Sequence, residues 1–246
     1  MELSGHLALI TGAGQGIGRA CAEVFALKGA DLILFDKNPT ALSEVADQTS
    51  QTGRQVFTRA LDLTDNDTLK KTVKEVKSKG RIDILVNNAG FDRPGTVAKI
   101  NTGDFLEVLS IHLVVPFTLI QLLLPDMRKA GWGRIINVSS IYALIGAKAE
   151  VAYSTAKAGV IGLTKSVAKE AGSDGVTVNT VLPGLTRTPT IETFMADKYR
   201  QPILNNTPLG RMGEAEEIAS VIAFLASDEA SYITGTPIPV SGGWGV

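Results

Sequence analysis

A glycine-rich turn close to the amino end constrains the fold of this chain more than any other feature. It joins a short apolar run at 7–10 to an amphipathic stretch that ends near Lys28, an order that predicts strand, turn and helix. Its glycines have the spacing T-G-x-x-x-G-x-G, namely Gly12, Gly16 and Gly18. Such glycines let a phosphate approach the helix amino end, where free N–H groups and the helix dipole favour negative charge. The turn therefore predicts a phosphate-binding site, with an ordinary glycine-rich turn as the alternative.

Apolar runs and helical segments alternate along the rest of the chain. The later predicted strands are 31–35, 56–60, 82–86, 134–138, 176–181 and 237–240. This alternation predicts one α/β domain over residues 1–246: a doubly wound parallel sheet of about seven strands with helices on both faces. A long apolar helix is expected at 105–129, with a kink at Pro116.

One segment, at about 184–212, has no obvious strand position, and long insertions in compact domains are often lids or binding loops. We therefore expect a substrate loop or lid there, with a helix packed permanently on the core as the alternative. Its apolar residues suit the covering of an organic substrate: Ile191, Phe194, Met195, Tyr199, Ile203 and Leu204.

Composition excludes several classes of function. The chain has 246 residues, of which 44% are apolar, so it can bury one large core. Its net charge of −1 gives no field that would attract nucleic acid. The single cysteine, Cys21, cannot form an internal disulfide, and with His6 and His112 it gives no recognisable zinc site, so we expect no metal. The amino end lacks a basic segment and no apolar run approaches the ~20 residues needed to span a bilayer, which predicts a cytoplasmic protein with no membrane partner.

Polar residues follow the predicted strands at the edge where parallel sheets bind ligands. Asp36 follows the second strand and can accept hydrogen bonds from both adenosine ribose hydroxyls, while it would repel a 2′-phosphate; this favours NAD. Lys37 beside it could tolerate that phosphate, so NADP is not excluded, and Asp36 could instead cap the helix near Pro39. Asp62 could reach an adenine amine or start the next helix.

Tyr153 and Lys157 form the most reactive pair in the sequence. Residues four apart on a helix share a face, so the ammonium can lie beside the phenol and favour its ionised form. Such a phenol can act as acid or base near neutral pH. A surface phenol beside a solvated ammonium is the alternative for the pair taken alone.

With these residues assembled, the chain resembles the short-chain dehydrogenase/reductase family, a Rossmann-type fold, over nearly its whole length. The motifs occur in the family's order: the glycine turn at 11–18, N-N-A-G at 87–90, Y-x-x-x-K at 153–157 and P-G-x-x-x-T at 183–188. The resemblance implies that Tyr153 is the general acid/base, that Lys157 lowers its pKa, and that Ser140 holds the substrate oxygen. It also implies a set of cofactor-binding residues: Gly12, Gln15, Gly16, Ile17, Gly18, Asp36, Asp62, Leu63, Asn88, Ala89, Gly90, Tyr153, Lys157, Pro183, Gly184, Thr186 and Thr188.

His112 departs from the family pattern. It stands where relatives have an asparagine that helps to hold a water between the lysine and solvent. Histidine could serve that relay, could bring partial positive charge, or could have lost the step. We include it among the catalytic candidates and expect activity with an altered pH dependence.

The resemblance implies metal-free hydride transfer between a nicotinamide and a secondary alcohol or 3-hydroxy compound, with NAD(H) favoured. The carboxyl-terminal part is similar to the 3-oxoacyl carrier-protein reductase branch, so an NADPH-dependent reductase of acyl-carrier-protein or CoA thioesters is the alternative. Gln15 stands where that branch usually has an arginine, and Asp174 stands where it tends to have a basic residue. A dinucleotide sensor without turnover is a third possibility. Relatives form homotetramers, and we expect one here, with a small alcohol or ketone as the other partner.

Overall fold

The structure, a computed structural model, describes residues 2–246 apart from the side chain of Phe194. The strands are β1 Leu7–Thr11, β2 Asp31–Asp36, β3 Val56–Ala60, β4 Ile84–Asn87, β5 Gly133–Val138, β6 Val176–Pro183, β7 Thr186–Arg187, β8 Gly213–Glu214 and β9 Pro237–Val240. The helices are α1 Gly16–Leu27, α2 Pro39–Ser50, α3 Asn66–Val76, α4 Thr102–Leu109, α5 Val115–Ala130, α6 Tyr142–Ile145, α7 Val151–Ala171, α8 Pro189–Phe194, α9 Asp197–Asn205 and α10 Ala215–Leu225.

Seven strands form one parallel sheet in the order β3-β2-β1-β4-β5-β6-β9. The chain builds outward from β1 to β3 and then returns to the other side of β1 with β4. The carboxyl ends of β1 and β4 therefore flank the reversal of strand order, which is where open α/β sheets bind ligands. This arrangement confirms the predicted doubly wound fold.

Each face of the sheet has its own apolar core, because alternate strand residues point to opposite sides. Ala8 and Ile10 of β1 pack with α1, α2 and α10, whereas Leu7 and Leu9 pack with α3, α5 and α7. The continuous apolar runs of the sequence are thus explained by a sheet that is covered on both faces.

The predicted long helix is interrupted. Residues Ser110–Val114 form a π-helical turn between α4 and α5, and Pro116 lies in the first turn of α5. Proline lacks an N–H and its ring crowds the preceding turn, so a wider turn before it relieves both problems. The expected kink at Pro116 therefore takes the form of a π turn that contains His112.

One expectation about apolar length needs correction. The continuous helical segment Thr102–Ala130 has 29 residues and is apolar enough to cross a membrane by length and composition. More than half of its most apolar stretch is buried, because α5 packs on the sheet. It is the core helix of a soluble fold.

The helix caps also differ from the simplest expectation. The side chain of Asn38, not that of Asp36, accepts hydrogen bonds from the first turn of α2. Likewise Asp65 caps α3, while Asp62 Oδ1 accepts hydrogen bonds from the backbone and hydroxyl of Thr64. Asp36 is thereby released from the capping role.

Candidate active site

A single cleft of about 590 Å³ runs along the carboxyl ends of the central strands. With one exception, every site residue predicted from the sequence lines it. The exception is Gly18, which lies beneath the turn. A Cβ there would come within 2.0 Å of the carbonyl oxygen of Gly12, so Gly18 allows α1 to pack against the turn.

The glycine turn leaves the amino end of α1 open to the cleft. Gly12 and Gly16 have φ values of 64° and 54°, a region that favours glycine. Gln15 is the N-cap of α1 but its side chain makes no capping hydrogen bond, and the first turn carries no acidic residue. Unsatisfied N–H groups and an unopposed helix dipole suit a pyrophosphate, so this end of the cleft fits the dinucleotide that the fold family uses.

Asp36 is fixed beside that turn. One carboxylate oxygen accepts from the N–H of Gly14 at 2.9 Å, and the other accepts from the N–H of Asn38 at 3.0 Å. The negative charge therefore stands where the adenosine end of a dinucleotide would lie, with Lys37 as a second liner of the same region.

Asn88 joins the end of β4 to the glycine turn. Its side-chain amide donates to the carbonyl oxygens of Thr11 and Gly12, at 3.0 and 3.2 Å. The hydroxyl of Thr11 in turn accepts from the backbone N–H groups of Asn88 and Ala89. Sequence reasoning gave Thr11 no role of its own, although its place at the head of the glycine motif was a usable signal.

Two further predicted residues, Thr188 and Gln15, make hydrogen bonds within the segment after β6 or to it. Thr188 is the N-cap of α8 and accepts from the N–H of Ile191 at 3.3 Å. Gln15 donates to the hydroxyl of Thr190 at 3.2 Å, which ties α8 to the glycine turn. The segment 184–212 folds as α8 and α9 between two short paired strands, β7 and β8.

Ser140, Tyr153 and Lys157 meet at the other end of the cleft. Tyr153 makes a side-chain hydrogen bond with Ser140. The ammonium nitrogen of Lys157 donates to the carbonyl oxygen of Val138 at 2.7 Å and lies 5.4 Å from the centre of the Tyr153 ring. The neighbouring hydroxyl of Ser139 instead donates to the backbone of Lys157, so Ser140 is the serine whose side chain meets the phenol.

Burial shifts the pKa values of Tyr153 and Lys157 away from those that the sequence suggests. It raises the pKa of Tyr153 above its usual range, although the hydrogen bond from Ser140 acts in the opposite direction. Burial also lowers the pKa of Lys157 to about 7, against the attraction of Asp92. The lowered pKa expected for Tyr153 is therefore not found with these protein groups alone, since desolvation dominates and the charges of Asp92 and Glu150 act in the same direction.

His112 holds the segment that follows β4. Its Nε2 lies 2.7 Å from the carbonyl oxygen of Phe91, and because a carbonyl only accepts, Nε2 carries the proton. Nδ1 is buried and has no hydrogen-bond partner. Burial, and then the charge of Lys157, keep the pKa of His112 well below 6.5, so the ring is neutral at pH 7 and brings no positive charge to the site.

Two acidic residues at the same end of the cleft form a pair that sequence reasoning did not predict. Asp92 is the second residue after the N-N-A-G motif, and Glu150 lies one helical turn before Tyr153. Both line the cleft, and their carboxyl groups are hydrogen-bonded to each other. Their positions next to two motifs were the available signal.

Comparison with known proteins extends these observations. A family model described as enoyl-(acyl carrier protein) reductase matches residues 12–245. The chain is 41% identical over 244 residues to 3-oxoacyl-(acyl-carrier-protein) reductase FabG of Thermotoga maritima, covering 99% of each chain. It is 40% identical to the FabG of Vibrio harveyi, covering 99% of this chain and 98% of that one.

Solved structures with the same fold include levodione reductase, with a TM-score of 0.94 at 34% identity over 98% of each chain. A candidate NAD(P)-dependent gluconate 5-dehydrogenase of Beutenbergia cavernae, with NADP bound at low occupancy, has a TM-score of 0.93 at 33% identity over 99% of this chain and 98% of that one. Fold, site and relatives define an NAD(P)-dependent oxidoreductase that acts on CH–OH and ketone groups. The chain belongs to the short-chain dehydrogenase/reductase family.

Proposed function

We propose that Ser140, Tyr153 and Lys157 catalyse the interconversion of a secondary alcohol, or a 3-hydroxy compound, and its ketone, with NAD(H) as the favoured cofactor. The observation that carries this proposal is the Ser140–Tyr153 hydrogen bond in the cleft that also contains the open end of α1. Proton donor, oxygen holder and phosphate-binding turn thereby share one cavity.

The cofactor, when bound, supplies or accepts the hydride. In reduction, the phenol of Tyr153 donates its proton to the carbonyl oxygen while the hydroxyl of Ser140 holds that oxygen by a hydrogen bond. In oxidation the same groups act in reverse, and the phenolate of Tyr153 takes the hydroxyl proton. A protonated Lys157 beside the phenol favours the phenolate and opposes the effect of burial.

Removal of the Tyr153 hydroxyl tests these assignments. Tyr153→Phe keeps the ring but removes the transferred proton, so we expect near-normal dinucleotide affinity with kcat reduced by about a hundredfold or more. Dinucleotide binding by fluorescence titration and turnover of a ketone are measured on the same preparation. Near-full activity of Tyr153→Phe would rule out the assignment.

His112→Asn tests the departure from the family pattern. We expect activity to survive with a shifted pH–rate profile, since Nδ1 of His112 is an acceptor without a protein partner inside the cleft. If the profile of the variant superimposes on that of the parent, His112 has no part in proton transfer and serves only to hold Phe91.

The preference for NAD(H) rests on the charge of Asp36, since a carboxylate beside the turn repels a 2′-phosphate. Asp36→Ala should raise kcat/KM for NADPH relative to NADH by about tenfold, as removal of a like charge predicts. The two cofactors are titrated separately because loss of the Gly14 contact alone would weaken both equally. An equal loss with both cofactors would show that Asp36 only shapes the turn.

Reduction of a 3-oxoacyl thioester on an acyl carrier protein with NADPH is the second candidate. It is favoured by the FabG relatives, which match the full length of this chain. Two residues oppose it. Gln15 stands in the glycine turn where that branch usually has an arginine. Asp174, paired with Arg128 at 2.7 Å, is acidic where that branch tends to have a basic residue. Acetoacetyl thioester reduction with NADH and NADPH side by side separates the candidates, because fast turnover with NADPH would make this the main function.

A dinucleotide sensor without turnover is the remaining alternative. Isotope exchange between a labelled alcohol and the cofactor distinguishes it from an enzyme, because a sensor exchanges no label. The hydrogen-bonded Ser140 and Tyr153 favour the enzyme.

We also propose that segment 184–212 is the substrate lid of the single domain 1–246. Ile191, Met195 and Ile203 of this segment line the cleft, and the Gln15–Thr190 bond joins it to the cofactor end.

The proposal further includes a cytoplasmic location and a homotetramer. The exposed side chains of Leu106, Val114 and Phe117, on α4, the π turn and α5, would form one interface of this tetramer.

A further inference from the structure

The cleft carries a polar feature that the hydride-transfer reaction does not use. Asp92 and Glu150 lie at the substrate end, close enough to Tyr153 that both raise the pKa of its phenol by charge. We propose that Asp92 and Glu150 recognise a hydrogen-bond-donating group of the substrate, a hydroxyl or an ammonium, and select against a carboxylate. This inference rests on the proposed function, because it names the substrate class for the same site.

The contact between the two carboxyl groups fixes their protonation. Two carboxylates in hydrogen-bonding contact repel each other unless they share a proton. Burial, and then the bond and charge of Asp92, raise the pKa of Glu150 to about 9, so the pair carries one proton and one negative charge at pH 7. Oε2 of Glu150 is buried and has no protein donor. A buried acceptor without a partner is costly, so a donor supplied by the substrate would be favoured.

Backbone geometry fixes the segments that carry Asp92 and Glu150 relative to each other. Ala149, directly before Glu150, has φ of 65° and is the one non-glycine residue with positive φ among residues 2–246. Its carbonyl oxygen accepts from the N–H of Gly95 at 2.7 Å, and Gly95 and Glu150 form an isolated parallel bridge. A left-handed alanine costs roughly 1 kcal/mol and persists only when its surroundings hold it. The bridge thus fixes the segment that carries Asp92 against the start of α7.

Among the described residues, no basic residue that lines the cleft forms an ion pair with Asp92 or Glu150. Arg93 is bound to Glu107 at 3.2 Å and lies over the ring of Phe91. Lys157 donates to the carbonyl oxygen of Val138, and Lys37 lies beside Asp36 at the other end. Although Lys157 attracts Asp92, an anionic substituent at this end of the substrate would therefore meet a negative charge that has no ion-pair partner.

The test uses four ketones that share one skeleton and differ at a single carbon. They are butan-2-one and its derivatives with a hydroxyl, an ammonium or a carboxylate on C4. The kcat/KM of each is measured with the cofactor that the parent prefers, for the parent, the double variant Asp92→Asn/Glu150→Gln and Glu44→Gln. Glu44 is an exposed carboxylate of α2 outside the cleft, so its variant controls for the loss of one charge.

We expect the parent and Glu44→Gln to favour the hydroxyl and ammonium ketones over butan-2-one, and butan-2-one over the carboxylate, by about tenfold each. The double variant removes the negative charge of the pair, so it should lose the ammonium preference and accept the carboxylate about tenfold better, each relative to butan-2-one in the same variant. Equal rates for all four ketones in the parent, or an unaltered order in the double variant, would overturn the proposal. An equal loss with every ketone would also overturn it, because the pair would then serve structure or proton transfer.

Binding separates this inference from the proposed function. Calorimetry of the same ketones with the NADH complex of Tyr153→Phe reports recognition without turnover. If no ketone is turned over by the parent yet the ammonium derivative binds more tightly than the carboxylate, the proposed function fails and the recognition stands. If binding shows no such order, the recognition fails whatever the turnover.

Discussion

At the scale of single residues, burial sets the charge states of the site. Lys157 is 4% exposed, and its pKa falls from 10.5 to about 7. Glu150 moves the other way, from 4.5 to about 9. Both shifts mean that the folded protein disfavours a charge that the unfolded chain carries freely, so each group destabilises the fold over its own range of pH.

Lys157→Met should stabilise the protein most in acid. Between pH 7 and 10.5 the unfolded chain binds the Lys157 proton more than the folded protein does, so stability rises with pH in this window and the penalty is complete below pH 7. The gain in unfolding free energy for Lys157→Met should therefore be larger at pH 6 than at pH 9, by on the order of 2 kcal/mol. Urea unfolding at the two pH values measures it. Equal gains would contradict the lowered pKa.

Glu150→Gln serves as a control, because its gain in stability should change with pH in the opposite direction to that of Lys157→Met. A folded pKa near 9 against 4.5 means that stability from this group is present below pH 4.5 and is lost as the pH rises through 9. The variant should therefore gain more stability at pH 9 than at pH 5 by the same urea assay. A gain that falls with pH would contradict a shared proton.

Gly90 and His112 should be energetically coupled. A Cβ at Gly90 would lie 1.9 Å from Cε1 of His112, so alanine at this position must displace the ring and its bond to Phe91. We expect Gly90→Ala to lower kcat/KM by at least about tenfold through misplacement of the site.

Combining Gly90→Ala with His112→Ala removes the imidazole ring and makes room for the new methyl group at position 90. The double variant should therefore be more stable than the sum of the two single losses predicts, by about 1 kcal/mol. Chemical unfolding of the parent, both single variants and the double variant completes the cycle. Strict additivity would mean that the two residues do not compete for space.

Residue spacing was sufficient to predict which side chains line the cleft but not what they bind. Ser140, Tyr153 and Lys157 follow from motifs whose spacing is local. The shared proton of Asp92 and Glu150 depends on a bridge between segments far apart in sequence, which no local pattern encodes. The neutral state of His112 depends on burial, which is equally a property of the folded molecule.

At the scale of elements, buried amides and hydroxyls join three strands to α7. Asn87 of β4 donates to Asn137 of β5 at 2.8 Å, and Asn137 donates to Thr164 of α7 at 2.8 Å. Thr164 is bonded in turn to Thr180 of β6. Because α7 carries Tyr153 and Lys157, this chain of bonds holds the reactive helix in register with the sheet.

Asn137→Leu breaks that chain at its centre. Asn137 is fully buried, and a leucine would leave the amide of Asn87 and the hydroxyl of Thr164 with fewer partners. We expect a loss of about 2–4 kcal/mol in unfolding free energy. Asn205→Leu, at an exposed site on α9, serves as the matched control. A similar small change in both variants would show that the chain of bonds contributes little.

The elements themselves followed largely from the sequence. Apolar runs identified all seven strands of the main sheet, with shifts of at most two residues at their ends. The π turn before Pro116 escaped prediction because an apolar helical pattern does not distinguish i→i+4 from i→i+5 bonding. The fold of segment 184–212 escaped it because short helices have weak periodic signals.

At the scale of the whole molecule, strand order divides the cleft into two ends of different character. Asp36 lies at the end nearest β2, while Asp92 and Glu150 lie beyond β4 at the substrate end. Composition alone, with a net charge of −1, gave no hint of this distribution. Overall charge excludes classes of partner, but only the fold shows where the charges gather.

Phe117→Glu tests the proposed homotetramer. Phe117 is 49% exposed, and Leu106 and Val114 on the same side are exposed to a similar degree. A carboxylate at this position should dissociate the assembly, because a charge at the centre of an apolar interface is left unpaired. Light scattering gives the mass of the parent, of Phe117→Glu and of Leu27→Glu, whose leucine is exposed on α1. An unchanged mass for Phe117→Glu would place the interface elsewhere.

The buried Cys21 has a practical consequence. It is the single cysteine of the chain, it is fully enclosed by the core around α1, and burial raises the pKa of its thiol above the usual range. Because alkylating dyes react with exposed thiolates, the native protein should be silent toward maleimides. A cysteine introduced at exposed Lys198 on α9 would then accept one fluorophore at one known position, and its emission could report on α9 during turnover without removal of the native cysteine.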